Sequence, residues 1–237
     1  MRRSEINAAI RDAERILRDA GVHLPPFAGL TPADWAAQGA DLEGARRPGL
    51  GWDVTDFGLG RFARVGLTLV TLRNGQLAPA PDGPPDKPYA EKLLLIGDGQ
   101  RTPMHAHVRK TEDIIHRGGV GRLVLELRSS AAPAEPRGEP LTVWTDGRAR
   151  TLAPAERLVL HAGESVTLVP GCYHAFWAEG GTVVAGEVSS VNDDATDNVF
   201  VEPIGRFADV DEDEAPYRLL VSDYAALRPA GAEEGTP

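Results

Sequence analysis

A single cysteine, Cys172, occurs in 237 residues. One thiol excludes an internal disulfide and suits a reducing cytoplasm. No apolar run approaches the roughly 20 residues that a membrane span requires. The opening stretch, MRRSEINAAIRDAERILRDAG, lacks the apolar segment and small-residue cleavage site of a signal peptide. Positive charge is also scarce: 25 Lys and Arg stand against 35 Asp and Glu, a net charge of −10. That balance argues against a nucleic acid partner, whose phosphates call for a basic face. No glycine-rich phosphate loop and no internal repeat is visible. The expectation is a cytoplasmic protein acting on a small molecule, with neither membrane nor nucleic acid as partner. Hydrophobic content of 42% and charged content of 25% are ordinary for a globular chain, and the length can bury a sizeable core. The acidic run ADVDEDEAP (208–216) reads as solvated surface.

The chain divides by its patterning. Residues 1–60 read as a helical extension. Ser4 is placed to cap a first helix, Ile6, Ala9, Ile10, Ala13, Ile16 and Leu17 form its apolar stripe, and Gly21 ends it. TPADWAAQG (31–39) reads as a short second helix with Thr31 as N-cap and Pro32 at the first helical position. From 61 to 227 the pattern becomes β-rich. RFARVGLTLVTLRNG (61–75) is a strand run closed by an Asn-Gly turn, and further strands are expected at 89–97, 121–129, 141–147, 156–171 and 181–191. Asp146-Gly147 marks a hairpin. Short strands between glycine-bearing turns point to a mainly β fold, an antiparallel barrel or sandwich. SSAAPAEPRGEP (129–140) reads as an exposed loop and 228–237 as a frayed tail.

Half of the six histidines fall in HAHVRKTEDIIHRGG (105–119). His105 and His107 lie two apart, so on a strand both rings share a face. Glu112 follows at a distance that lets a turn return a carboxylate to the same point. Two imidazoles and a carboxylate suit Mn, Fe, Co, Ni or Zn. An exposed, charged strand end would produce the same letters. A second stretch, GESVTLVPGCYH (163–174), sets a strand and a Pro-Gly turn before His174.

Together these stretches resemble the paired motifs of the cupin superfamily. Gly99, His105, His107, Glu112 and Gly119 match the first motif, and Gly163, Gly171 and His174 the second. Val169 stands where the motif usually has proline, and Ala178 where it often has asparagine. Longer segments narrow the resemblance: GLGWDVTDFGLGRF (49–62), KPYAEKLLLIGDGQRTPMHAH (87–107), EDIIHRGGV (112–120), YHAFWAEGGTVVAGEVSSVNDDATDN (173–198) and EPIGRF (202–207) are similar to bacterial D-lyxose isomerases. The resemblance implies a cupin-type antiparallel, jelly-roll-like barrel with N-terminal helices packed outside it. It implies His105, His107, Glu112 and His174 as ligands of a divalent metal, Mn first, with Co, Ni, Fe or Zn as alternatives. The implied activity is aldose–ketose isomerisation of free D-lyxose and D-mannose by a homodimer.

Lys92 interrupts an apolar strand; it faces either the barrel interior, as a substrate contact, or the outside beside Glu91. Lys110 shares the parity of Glu112 if the segment is extended, which would aim it at the metal. The resemblance favours substrate contact and oxyanion stabilisation for Lys110. For the base, Glu202 is the first candidate and Glu187, on a late strand, the second. The loop VNDDATDN (191–198) could fold across the barrel mouth, with Asp193 as a substrate contact. His23, His116 and His161 fit neither motif and read as structural or exposed. Phe176 and Trp177 read as core. An Fe(II) oxygenase, a phosphosugar isomerase and a non-catalytic sugar-binding barrel remain as alternative readings.

Overall fold

The computed structural model describes residues 1–78, 86–129 and 138–227. The frayed tail expected at 228–237 and most of the loop expected at 129–140 lie outside these residues. Helix α1 (Arg3–Asp19) buries Ile6, Ile10, Ala13 and Leu17, as its 3–4 spacing requires, and Gly21 closes it at φ +73°. Ser4, expected as the cap, sits one position inside the helix and Arg2 takes the cap position. The carboxylate of Asp213 accepts from the Ser4 amide at 2.8 Å and from its hydroxyl at 2.6 Å. The acidic run is therefore a clasp and not merely a solvated face. Glu212 and Asp223 accept from the buried Arg3 guanidinium at 2.8 and 3.0 Å, and the Met1 ammonium donates to the Asp209 carbonyl at 2.6 Å. A helix start carries unpaired N–H groups and a positive dipole end, and this segment supplies acceptors of the right sign. In α2 (Pro32–Gln38), Thr31 is the N-cap as expected and exchanges reciprocal cap bonds with Asp34, and α3 (Glu43–Arg46) follows.

The strands are β1 (Gly51–Thr55), β2 (Leu67–Arg73), β3 (Tyr89–Ile96), β4 (His105–His107), β5 (Glu112–Gly119), β6 (Arg122–Arg128), β7 (Leu141–Thr145), β8 (Arg148–Leu152), β9 (Leu158–Leu160), β10 (Ser165–Leu168), β11 (Tyr173–Glu179), β12 (Val183–Ser190) and β13 (Asn198–Phe200). They form an eight-stranded sheet in the order β1-β2-β3-β12-β5-β10-β7-β8 and a five-stranded sheet in the order β13-β4-β11-β6-β9. Strand neighbours within both sheets run antiparallel. The fold is mainly β, as expected, with the helices on its outside. Strand β1 falls within the 1–60 stretch read as helical; it supplies the edge of the larger sheet.

Between the sheets lies a core that takes alternate residues from each. Leu94, Ile96, Ile114 and Val166 from one meet Leu123, Leu125, Leu127 and Phe176 from the other. Each such side chain contributes about 1.5–3 kcal/mol on burial. The opposite parity of the larger sheet, with Val54, Val70, Leu93, Leu95 and Val184, is covered by Ile6, Ile10, Ala13 and Leu17 of α1. Two turns differ in kind. Asp146 and Gly147 both take positive φ, 50° and 76°, and join β7 to β8 as the hairpin the dipeptide suggests. Asn74-Gly75 does not close a hairpin; the Asn74 amide donates to the Asn192 carbonyl at 2.9 Å. Gly75 is required there because a Cβ would stand 1.7 Å from the Lys87 carbonyl. The expected strand 156–171 is two strands, broken where Gly163 turns at φ +97°.

Candidate active site

His105 and His107 project from β4 and His174 from β11, which pairs with it so that His174 stands opposite His105. Glu112, the fourth residue expected from the two motifs, opens β5 beside them. One ligand nitrogen from each of the three imidazoles lies within 4.8 Å of the others. Glu112 Oε1 is 3.0 Å from His174 Nε2, and Oε2 is 3.4 Å from His107 Nε2. The backbone sets two tautomers. His105 Nδ1 donates to the Pro103 carbonyl at 2.8 Å and His174 Nδ1 to the Cys172 carbonyl at 3.0 Å. Their Nε2 atoms are then lone-pair donors turned to the same point. A lone pair on His174 faces a carboxylate oxygen that has no hydrogen-bond donor. Such an arrangement repels unless a cation lies between, so these four side chains fit a divalent metal with nitrogen and oxygen preference.

From Glu112 a line of alternating charges runs along the cavity. Lys110 Nζ is 2.9 Å from Glu112 and 2.8 Å from Glu187; Lys92 Nζ is 3.4 Å from Glu187 and 3.6 Å from Asp194. Arg206 follows, 3.3 Å from Asp194 and 2.7 Å from Asp53. Lys92 faces inward because it shares the parity of Leu94 and Ile96 on β3, and Glu187 shares that of Val183 and Ala185 on β12. Burial would raise the Glu187 carboxyl, but Lys110 and then Lys92 outweigh it and hold the group below its ordinary value. Burial opposes Glu112 in the same way, and Lys110 and His107 bring it well below the carboxylate range. Burial would lower the Lys110 ammonium; Glu112, Glu187 and Asp194 keep it raised and charged. Asp194 is likewise lowered, against burial, by Arg206 and the two lysines.

The loop after β12 does fold over the cavity. Asn192 Oδ1 accepts from Lys92 at 2.7 Å and Lys110 at 3.2 Å, and the Asp197 carboxylate accepts from the Arg109 and Lys110 amides at 2.8 and 3.1 Å. Asp194, Asn198 and Phe200 line the space together with Phe57.

Two expected site residues lie elsewhere. Asp193, expected as a substrate contact, caps its own turn, accepting from the Ala195 amide at 3.1 Å and from Arg109 at 3.1 Å. Its neighbour Asp194 lines the cavity instead. Glu202, expected as the first candidate for the base, is exposed and lines a separate surface cavity with Arg61 and Arg101, beyond the end of β13. Arg206, Asp194, Asp53 and Asn192 were not singled out from sequence. A signal for Asp53 existed in GWDVT, where a carboxylate interrupts a wholly buried strand. His116 is buried, with Nε2 2.9 Å from the Gly121 carbonyl, while His23 and His161 are exposed, as expected.

The family model described as D-lyxose isomerase matches residues 1–224. The chain belongs to the D-lyxose isomerase family. It is 45% identical over 231 residues to the D-lyxose/D-mannose isomerase of Escherichia coli O157:H7, covering 96% of this chain and 100% of that protein. It is also 45% identical over 234 residues to the protein of the same name from Serratia proteamaculans, covering 94% and 98%. Among solved structures, L-ribose isomerase from Cellulomonas parahominis with L-psicose superposes with a TM-score of 0.53 at 20% identity, covering 89% of this chain and 98% of that one. At that identity the likeness bears on the fold. Membership of the D-lyxose isomerase family makes the chain a sugar isomerase, and no helix among the described residues is long and apolar enough to cross a membrane.

Proposed function

We propose that this protein interconverts D-lyxose with D-xylulose, and D-mannose with D-fructose, by proton transfer through an enediol. The observation that carries the reading is the buried sequence Glu112–Lys110–Glu187–Lys92 beside three convergent imidazoles. His105, His107, Glu112 and His174 would hold a divalent ion, Mn(2+) first. When bound, such an ion supplies Lewis-acid polarisation of a carbonyl and stabilises the charge that develops on vicinal oxygens. Glu187 is the base that removes the C2 proton of the open-chain aldose and returns it at C1. Glu202, the first candidate, is exposed and lines a different cavity, which favours the second candidate, Glu187, in this reading. Lys110, held charged between two carboxylates, donates to the oxygen on which negative charge develops. Lys92 orients Glu187 and meets a substrate hydroxyl.

The charge balance of the cavity favours a free sugar over a sugar phosphate. Lys92, Lys110 and Arg206 are each in contact with Glu112, Glu187 or Asp194, which leaves no surplus of cations for a dianion. The functional unit we propose is a cytoplasmic homodimer.

The test is to strip the protein of metal, reload it with single ions and assay free and phosphorylated pentoses and hexoses. Mn(2+) is expected to restore turnover of D-lyxose, and of D-mannose more slowly, and to do so better than Mg(2+), because imidazole sites favour transition metals over a hard cation. Full activity in demetallated protein, or turnover of sugar phosphates alone, refutes the reading.

A further inference from the structure

The far end of the charge line from the histidines has no part in the proton transfer just described. It is nevertheless built with care. The Arg206 side chain is 11% exposed and Asp53 3% exposed. Strand β1 grips residue 206 twice: Asp53 Oδ2 meets its guanidinium at 2.7 Å, and Thr55 donates its hydroxyl to the Arg206 carbonyl at 3.0 Å. Asp53 and Thr55 share one side of β1, while Trp52 and Val54 on the other side pack under α1. Arg206 and Asp194 line the cavity, and Asp53 stands behind them. Around them the wall is apolar, with Phe57, Leu67, Leu69 and Phe200.

A hydroxyl brought into such a place loses water on both counts, as a donor and as an acceptor, and each unmade bond is costly. The Arg206–Asp194 pair offers one partner of each kind. Asp53 comes nearest to one terminal nitrogen of Arg206 and Asp194 to the other, and a guanidinium carries five N–H donors, more than these two contacts occupy, so donors remain for a ligand. We propose that Arg206 and Asp194 bind the C5 hydroxyl of the open-chain sugar, and that Asp53 is the positioning residue that aims Arg206. The inference rests on the reading of this cavity as the isomerase substrate site. The edge strand contributed by the N-terminal part of the chain would thereby set recognition of the sugar tail.

The experiment compares kcat/KM for D-lyxose and 5-deoxy-D-lyxose in the wild-type protein, Asp53→Asn and Arg206→Lys. The wild type is expected to prefer D-lyxose by about 10-fold to 100-fold, the range of one hydrogen bond to a charged donor. In both variants that ratio falls towards 1, chiefly through KM for D-lyxose. A merely structural defect lowers both substrates together and leaves the ratio where it was, which overturns the proposal. A wild-type ratio near 1 overturns it without any variant. Should Asp53→Asn fail to fold, Arg206→Lys gives the same comparison. If the wild type turns over neither sugar, the isomerase reading itself has failed, and this inference falls with it.

Discussion

Replacing Glu187 by glutamine separates the proposed base from its rival. The side chain keeps its shape and one acceptor oxygen but loses its charge. Two buried ammonium groups lose part of their compensation: Lys110, at 2.8 Å, and Lys92, at 3.4 Å. Neither is abandoned, since Lys110 keeps Glu112 at 2.9 Å and Lys92 keeps Asn192 at 2.7 Å. The cost in stability is therefore about 1–2 kcal/mol, short of the 3–5 kcal/mol of a fully orphaned buried charge. For a chain of this size that lowers Tm by about 2–8 °C. Removing a positioned base costs about 10²–10⁴-fold in rate, some 3–5 kcal/mol of barrier. The catalytic loss thus exceeds the stability loss, and the folded variant should be almost inert. The assay follows ketose formation from D-lyxose together with exchange of the C2 hydrogen in deuterated water; both should fall in parallel while bound metal stays constant. Glu202→Gln, on an exposed residue outside the cavity, should change kcat/KM by less than about twofold. Near-normal turnover in Glu187→Gln, or a large loss in Glu202→Gln, would refute the assignment. Isomerisation without solvent exchange at C2 in the wild type would replace proton transfer by a hydride shift.

Two other perturbations test the proposed metal site and the clasp. His107→Ala removes one of the four side chains proposed to hold the metal and should lower both metal content, measured by elemental analysis, and activity; retained metal at full stoichiometry would remove His107 from the proposed set. Arg3→Ala should lower Tm by about 2–8 °C, or about 1–2 kcal/mol, because it takes a buried guanidinium from Glu212 and Asp223, carboxylates that water can then reach. The clasp should also be acid-sensitive. Arg3 holds the Glu212 carboxyl below its ordinary value, so its contribution is complete above the unfolded pKa and is lost as pH falls through the folded one. Arg3→Ala should therefore flatten the stability profile below about pH 4.5; an unchanged acid limb in the variant would argue against the clasp.

Much of the candidate metal site is written in local spacing. His105 and His107 share a face because a strand repeats every two residues, and Lys92 and Glu187 turn inward for the same reason, each with the leucines, valines or alanines of its own strand. The first helix and its apolar stripe, the Thr31 cap and the Asp146-Gly147 hairpin are likewise properties of a few consecutive residues. What escapes such reading is whatever depends on which distant segments the sheets bring together. Arg206 meets Asp53 across 153 positions, and Ser4 meets Asp213 across 209. Nothing local distinguishes Asp193, which caps its own turn, from Asp194, which enters the cavity; the path of the loop across β4 and β13 decides between them. The same holds for Glu202, carried onto the surface once β13 ends at Phe200. Backbone sterics and hydrophobic periodicity act over one or two turns of chain and are legible as letters. The pairing of charges across the two sheets is set by register and packing, and only the folded chain expresses it.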